Sequence, residues 1–307
     1  MYGLLKMRKF KVDIAGKPFI EAAEDKKDDE KKSIKRCFRI VFNSQASYTY
    51  NLGFLDLGIY NLSRETSVRQ GDRISFSAGY DGEFDVIFTG LIVSVIKEKE
   101  GPNVITRLLC RSGESPKPLP NVTETRPTIE KTFGRNTKIT QLIRAIGEAW
   151  GKPVRLSEEQ FDDCPVMSNG YSLNGDVCVL IDDLAQQFNF QWGLVQDVLI
   201  IDRQHKPVKG TPREVSLFTG MIGYPEAADD NLGVFVNVNM RLSPKIRLGT
   251  LIDLKSEFAS YNTGNMYIIP PANGGKLSGQ YRVVELFHEG DSWGDRWMTK
   301  LKGIRNG

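Results

Sequence analysis

The sequence predicts a mainly β protein with an α+β insert, in which two antiparallel β-barrels flank a small helix-and-hairpin region. Short strand-like runs bounded by Gly, Pro and Asp recur at both ends of the chain, and helical periodicity is confined to the middle. One glycine–strand–turn–strand unit also occurs twice. We therefore predict a first barrel over residues 1–113, the insert over 114–208 and a second barrel over 209–307.

The first β region is predicted from alternating polar and apolar residues and from its turns. Asp81-Gly82 supplies the positive φ of a tight hairpin turn, and Gly101-Pro102 marks a second turn. Between the first two strands, the segment 21–35 carries charges of both signs. It predicts a solvated hairpin tip or, alternatively, an arm that orders against a partner. Strands are predicted at residues 10–20, 36–43, 71–78 and 104–111, with further strand-like residues at 46–59 and one strand or a pair of strands at 85–96.

The middle of the chain begins with a proline-rich crossover at residues 112–127, where prolines remove backbone donors. A helix is predicted over 136–150 and ends at Gly151. A second helix is predicted over 176–188, followed by a hairpin over 188–202. The first helix is indicated by apolar residues at helical spacing, namely Ile139, Leu142, Ile143, Ile146 and Trp150.

The second β region repeats the order of the first. Gly71 and Gly249 each open a strand, an apolar strand follows a variable hairpin, and a further strand closes the unit. We match Glu100-Gly101 with Glu289-Gly290, with an ambiguity of about two positions. The pattern favours a duplicated domain, with chance recurrence of a common β unit as the alternative. The strands of this region are predicted at 215–220, 233–240, 249–257, 281–288 and 296–303, with a long loop at 262–279.

Composition limits the possible functions. The formal net charge of +3 is too small to indicate a nucleic-acid partner by itself. Neither a signal peptide nor an apolar run of the roughly 18 residues needed for a membrane helix is seen, so we expect no membrane insertion. Without a C-x-x-C motif, the cysteines are predicted to be reduced, in a chain that folds in a reducing cytoplasm: Cys37, Cys110, Cys164 and Cys178.

The sequence contains no recognisable active-site motif. His205 and His288 lack further ligands at metal-binding spacing. The acidic pairs Glu158-Glu159 and Asp162-Asp163 are better explained as a solvated loop than as glycosidase carboxylates. We therefore predict that the protein is not an enzyme, with no catalytic, cofactor-binding or metal-binding residues and no cofactor. A sparse set of aromatic and basic residues leaves an oligonucleotide-binding face as a weaker alternative, through Tyr48, Tyr50, Tyr60, Arg64 and Arg69.

The order of these motifs resembles the baseplate hub proteins of contractile-tailed bacteriophages. The unit GDRISFSAGYDGEF…FTGLIVSVIKEKEGPNVITRLLC resembles their first barrel, and EVSLFTGMIGYPE through GQYRVVELFHEGDSWGDRWMTKLKG resembles their second. The run VCVLIDDLAQQFNFQWGLVQDVLIIDR resembles the insert between them. The likeness extends from about Lys9 onward, and its single motifs are less specific than their order and spacing.

The resemblance implies two tail-tube-like barrels in a structural hub. It implies a homotrimer forming a pseudo-sixfold ring, which joins the tail tube protein to a trimeric spike protein. Tape measure protein and baseplate wedge components are further implied partners, and DNA is expected to pass the lumen without specific binding. The implied location is the tail baseplate of the virion, assembled in the host bacterial cytoplasm. In tube-like barrels the hairpin corresponding to segment 21–35 helps to bind the neighbouring ring.

Three alternatives remain open from the sequence. The hub of a phage-like bacteriocin or injection particle would look the same. A tail-associated cell-wall hydrolase would need a cleft with an isolated carboxylate pair. A nucleic-acid-binding barrel would bind single strands with salt-dependent affinity.

Overall fold

The computed structural model describes residues 7–21, 38–63, 68–113, 127–203, 206–230, 233–261 and 277–306. Several predictions fall outside these ranges. They concern most of the charged segment, the crossover residues 114–126, the loop residues 262–276, Cys37, Arg64 and His205.

The first β unit confirms the predicted strand-rich region. The predicted strand at 10–20 is a hairpin, because Ala15 and Gly16 both have positive φ and reverse the chain. The predicted Asp81-Gly82 turn is confirmed, since it joins two consecutive strands. The strands are β1 (Arg8–Ile14), β2 (Lys17–Glu21), β3 (Ile40–Ser47), β4 (Phe54–Tyr60), β5 (Arg73–Tyr80), β6 (Glu83–Glu100) and β7 (Asn103–Arg111).

The insert contains both predicted helices and the predicted hairpin. The first helix ends at Gly151, which has φ 66° as expected for a C-cap. The second begins at Asp176, whose carboxylate accepts backbone hydrogen bonds from Cys178 and Val179. The elements are β8 (Thr128–Phe133), α1 (Ile139–Trp150), β9 (Val154–Arg155), a 3-10 helix (Glu158–Phe161), β10 (Tyr171–Asp176), α2 (Val177–Phe188), β11 (Gln191–Val195) and β12 (Val198–Asp202).

The second β unit differs from prediction near its start. The expected strand at 215–220 is mostly a 3-10 helix at Leu217–Thr219, because Ser216 and Thr219 exchange side-chain and backbone hydrogen bonds. Gly220, at φ 108°, then turns the chain into the next strand. The strands are β13 (Arg213–Val215), β14 (Met221–Asp230), β15 (Gly233–Arg241), β16 (Leu251–Leu254), β17 (Ser260–Tyr261), β18 (Gly279–Asp291) and β19 (Trp297–Arg305).

Strands of both β units form one continuous sheet. Among the described residues it has 14 strands, with the main order β17-β14-β15-β19-β18-β3-β4-β7-β6-β5-β1-β2. The units meet where β18 pairs with β3. Most neighbours are antiparallel as predicted, whereas β13–β16 and β14–β17 are parallel. The sheet therefore joins the two units directly.

Four hydrophobic clusters lie among the described residues, one in each β unit, one in the insert and a small one shared by all three segments, formed by Ala46, Tyr48, Val195, Ile200 and Leu248. The clusters cross the predicted segment limits. Leu242 and Trp297 lie in the core of the first unit, and Leu52 lies in the core of the insert. The limits at residues 113 and 208 stay predictions, and the packing couples all three segments.

The two units share strand order and one detailed hydrogen-bond pattern. Gly71 N donates to Ile92 O at 2.8 Å, and Gly249 N donates to Val283 O at 2.8 Å. The N–H groups of Ile92 and Val283 donate back to the residues that follow the two glycines. A β-bulge follows each of these contacts. This glycine corner matches Ile92 with Val283 and relates β5-β6-β7 to β16-β18-β19.

The corner fixes the register of the sequence match within its ambiguity of about two positions. Counting onward from Ile92 and Val283, Glu289 of β18 corresponds to Glu98 of β6 rather than to Glu100. In the closing strands, Leu108 pairs with Val95 as Leu301 pairs with Leu286. This pairing fixes which side of each closing strand its residues face, because a shift by one residue would reverse the sides.

Candidate assembly surfaces

The seam between the β units is the ladder from Glu285–Ser47 to Asp291–Val41. At its end, Arg39 holds the Asp291 carboxylate through two hydrogen bonds, at 2.7 and 3.2 Å. This hydrogen bonding lowers the pKa of Asp291. Ser292 and Ile40 exchange two further bonds at 2.9 Å. The units are thus joined by backbone pairing and a charged clamp.

A buried ion pair fixes the second unit to the insert. Arg282 Nε lies 2.8 Å from Asp202 Oδ2, and these side chains are 2% and 5% exposed. Gln160 donates to the other carboxylate oxygen at 3.0 Å, and Arg282 Nη1 donates to Lys206 O at 2.8 Å. Burial raises the pKa of Asp202. Both side chains are buried, which indicates a structural role for the pair.

One long sheet edge remains open in the first unit. The first half of β6 pairs with β5, while residues 94–100 pair only with β7 within the part of the chain described. This exposed stretch carries alternating Lys and Glu, and Ile96 is 37% exposed. An open edge offers unpaired backbone groups to another strand. The sequence contained a signal for it, since the run turns from apolar to charged after Ile96.

An aromatic patch lies at the start of β14. Phe218 is 99% exposed, and the rings of Tyr224 and Phe258 are in edge contact at 5.5 Å between centroids. Leu217 and Ile222 are also exposed beside them. Clusters of exposed apolar side chains mark interaction surfaces. The sequence did not predict this patch, because the run VSLFTG (215–220) was interpreted as a strand.

The predicted acidic pairs do not form an isolated carboxylate dyad. Glu158 lies 2.7 Å from Arg144, Glu159 lies 2.7 Å from Lys209, and Asp163 lies 3.0 Å from Lys206. Three of the four carboxylates are thus divided among separate ion pairs at the surface of the insert. This arrangement gives the hydrolase alternative no support.

The aromatic residues considered for oligonucleotide binding have different surroundings. Tyr48 is buried, and burial raises its pKa well above the ordinary value. Tyr60 packs under Arg39 and donates to Glu100 at 2.9 Å. Tyr50 is exposed and contacts Phe54 instead.

The remaining candidates have structural surroundings. His288 is buried, its Nδ1 lies 2.9 Å from Thr299 Oγ1, and burial lowers its pKa to about 4. Cys110 and Cys178 are buried, and Cys164 is half-buried. Over the described ranges, no group of three or more His, Cys, Asp or Glu side chains is arranged to hold a metal ion. None of the described helices is long and apolar enough to span a membrane.

Known structures share this architecture. The 43 kDa tail protein of prophage MuSo2 from Shewanella oneidensis matches with a TM-score of 0.57 at 10% identity, over 97% of this chain and 98% of that one. A tail protein from Neisseria meningitidis MC58 matches with a TM-score of 0.55 at 11% identity, over 98% and 97%. These similarities confirm the mainly β fold class.

A third structure is the E. coli c3393 protein, described as a type VI secretion component similar to the T4 tail proteins gp27 and gp5. It matches with a TM-score of 0.56 at 10% identity, over 90% of this chain and 76% of that one. A search of curated protein sequences found no match. The family model for baseplate hub gp41 matches residues 57–271, more than half of the chain. The chain therefore belongs to the baseplate hub gp41 family and has a structural role in a bacteriophage tail baseplate.

Proposed function

We propose that the chain is the hub of a contractile tail, in which three copies form a pseudo-sixfold ring between the tail tube and a trimeric spike. The observation that carries this proposal is that the two β units have the same strand order and each contain the same glycine corner. Three chains with two such units each would present six similar surfaces to a sixfold tube and three repeats to a spike. Tape measure protein and wedge components are the further partners of this ring.

Particle imaging and mass measurement test this function. Electron microscopy of tails should place three copies at the tube end beside the spike, around an open channel. Solution mass of the purified chain should show whether that trimer forms without the spike. We expect a neutral to acidic lumen, because passing DNA must not adhere. A chain located elsewhere in the particle would contradict its role as the hub. A continuous basic lumen would contradict the expected charge of the channel.

The same geometry would serve the hub of a bacteriocin-like or injection particle. One observation favours keeping this second candidate, namely the shared fold of the E. coli type VI secretion component. The contents of purified particles separate the two, because only the phage tail is attached to a DNA-filled head.

Deletion of residues 24–32 should leave the fold intact and weaken stacking on the tail tube protein. The segment is highly charged and carries almost no apolar residue, so its loss should leave the described core unchanged. Co-sedimentation with assembled tubes measures stacking, and circular dichroism checks the fold. A linker of equal length made of Gly and Ser is the matched control for loop length. Stacking unchanged by the deletion would reject the assembly-arm role.

A further inference from the structure

We propose that the open edge of β6, residues 94–100, binds strand β14 of a second copy of this chain. The proposal rests on the trimeric ring proposed above and assigns the contact that would close it. It comes from comparing the two glycine corners, which belong to the two β units of one chain and lie in the same strand arrangement. Among the described residues, the arrangement has a partner strand in the second unit and lacks one in the first.

Strand β18 shows the completed arrangement. Its first part, from Gly279 to Arg282, pairs with β16. After the bulge, Glu285 to Asp291 pair with β3 along the same edge. Strand β6 follows this plan in its first part, where Glu83 to Leu91 pair with β5. After its bulge, residues 94–100 have no strand on that edge in the described residues.

The occupant follows from the order of strands. In the first unit β3 lies next to β4, which lies next to β7. In the second unit β14 lies next to β15, which lies next to β19. Strand β14 is therefore the counterpart of β3. Within one chain, β3 is already paired with β18. The open edge of β6 would therefore pair with the counterpart of β3, strand β14, from another molecule. Such a head-to-tail contact can close a ring.

The counterpart also fixes a register. Asn43 lies opposite Glu289 in the internal seam. The corner equates Glu289 with Glu98, and pairing with the neighbouring strands equates Asn43 with Glu226. Glu98 of one copy should therefore lie opposite Glu226 of the next. In the part of the chain described, the short strand β17 pairs with this edge of β14 at Glu226 and Ala227, so it must leave when the copies pair.

Exposed apolar side chains lie on both sides of the proposed contact. Ile96 and Val104 are exposed on the β6–β7 hairpin. The aromatic patch, with Phe218 the most exposed, lies just before and within β14. In the internal seam, the residues just before β3 contact the end of β18. By the same geometry, the patch of one copy would meet the hairpin end of the other, which removes apolar surface from water.

Disulfide trapping tests the register. The chain with Glu98→Cys and Glu226→Cys should form covalently linked chains, up to three, when assembled tails are oxidised and analysed on denaturing gels. Directly opposite residues that are not hydrogen-bonded lie about 4.5 Å apart between Cα atoms, within disulfide range. Asn43→Cys with Glu289→Cys is the matched internal control and should give a link within one chain. Glu98→Cys with Ile222→Cys should link at least tenfold less, because its register is wrong.

A second variant tests the backbone contact. In the internal seam the N–H of Ser292 points toward β3. Backbone N–H groups point alternately to the two sides of a strand, so the N–H of His288, four residues earlier, also points toward β3. The counterpart of His288 is Lys97. Lys97→Pro removes one edge donor while sparing the bonds to β7, and should weaken association roughly tenfold, whereas Lys97→Ala should not.

The outcomes separate this inference from the proposed function. Tails that contain the hub ring but give no linked chains from Glu98→Cys with Glu226→Cys overturn the inference and leave the ring standing. If the wild-type chain itself is missing from tails, no linked chains can form there. That result contradicts both the inference and the proposed function. Equal association of Lys97→Pro and Lys97→Ala, measured by sedimentation of the folded chain with its particle partners, also overturns the contact.

Discussion

Replacement of Arg282 by methionine should lower the free energy of unfolding by about 3–5 kcal/mol. The substitution leaves the Asp202 carboxylate buried without its guanidinium partner, 2.8 Å away in the native chain. Urea unfolding followed by tryptophan fluorescence would measure the loss. The matched control is Arg144→Met, which breaks an exposed ion pair with Glu158 and should cost at most about 1 kcal/mol. Equal losses would contradict the assignment of a buried pair.

The loss from Arg282→Met should depend on pH. Burial already raises the pKa of Asp202, and removal of the nearby cation should raise it further. The folded variant then holds a proton that the unfolded chain releases. Its deficit is therefore largest near neutral pH and shrinks as the pH falls toward the ordinary aspartate pKa. Asp202→Asn added to Arg282→Met removes the ionisable group and should abolish this pH dependence.

Replacement of Trp297 by alanine should cost about 3–5 kcal/mol, because it empties a large site in a packed core. Trp297 belongs to β19 of the second unit but lies in the core of the first. Its ring contacts Phe42 at 5.2 Å between centroids, and its Nε1 donates to Gly79 O at 3.1 Å. The variant should therefore lose both stability and coupling between the units.

Calorimetry would detect the loss of coupling as a wider or divided unfolding transition. Trp293→Ala is the matched control, because Trp293 is 70% exposed and only four residues away. Its effect should remain within about 0.5 kcal/mol. A single sharp transition in Trp297→Ala, at the temperature of the wild type, would contradict the role of Trp297 as a link between units.

Features determined by neighbouring residues were predictable. The Asp81-Gly82 turn, both helices and the Gly151 cap depend on residues within one or two turns of each other. The short helix before β14 was missed because its determinant is a reciprocal bond between Ser216 and Thr219, which an alternating pattern conceals. Local competition between side-chain bonding and strand pairing decided that element.

Contacts between distant segments were not predictable from one sequence. The β3–β18 seam joins residues about 240 positions apart, and Arg39 gives no sign that Asp291 is its partner. The repeat was recognised, yet its register was not, because Glu-Gly recurs at positions that the fold does not equate. The register depends on the hydrogen bonds between each glycine corner and its strand, which no local sequence pattern reveals. The exposed aromatic patch likewise depends on which faces the distant strands cover.

The internal seam has a consequence for the order of events after synthesis. A contact within one chain forms at an effective concentration set by the connecting residues, so dilution does not weaken it. A chain can therefore complete the β3–β18 ladder alone, even when few copies are present in the cell. Only the joining of finished chains depends on their abundance. Placing two units on one polypeptide thus makes a scarce component less sensitive to its own supply.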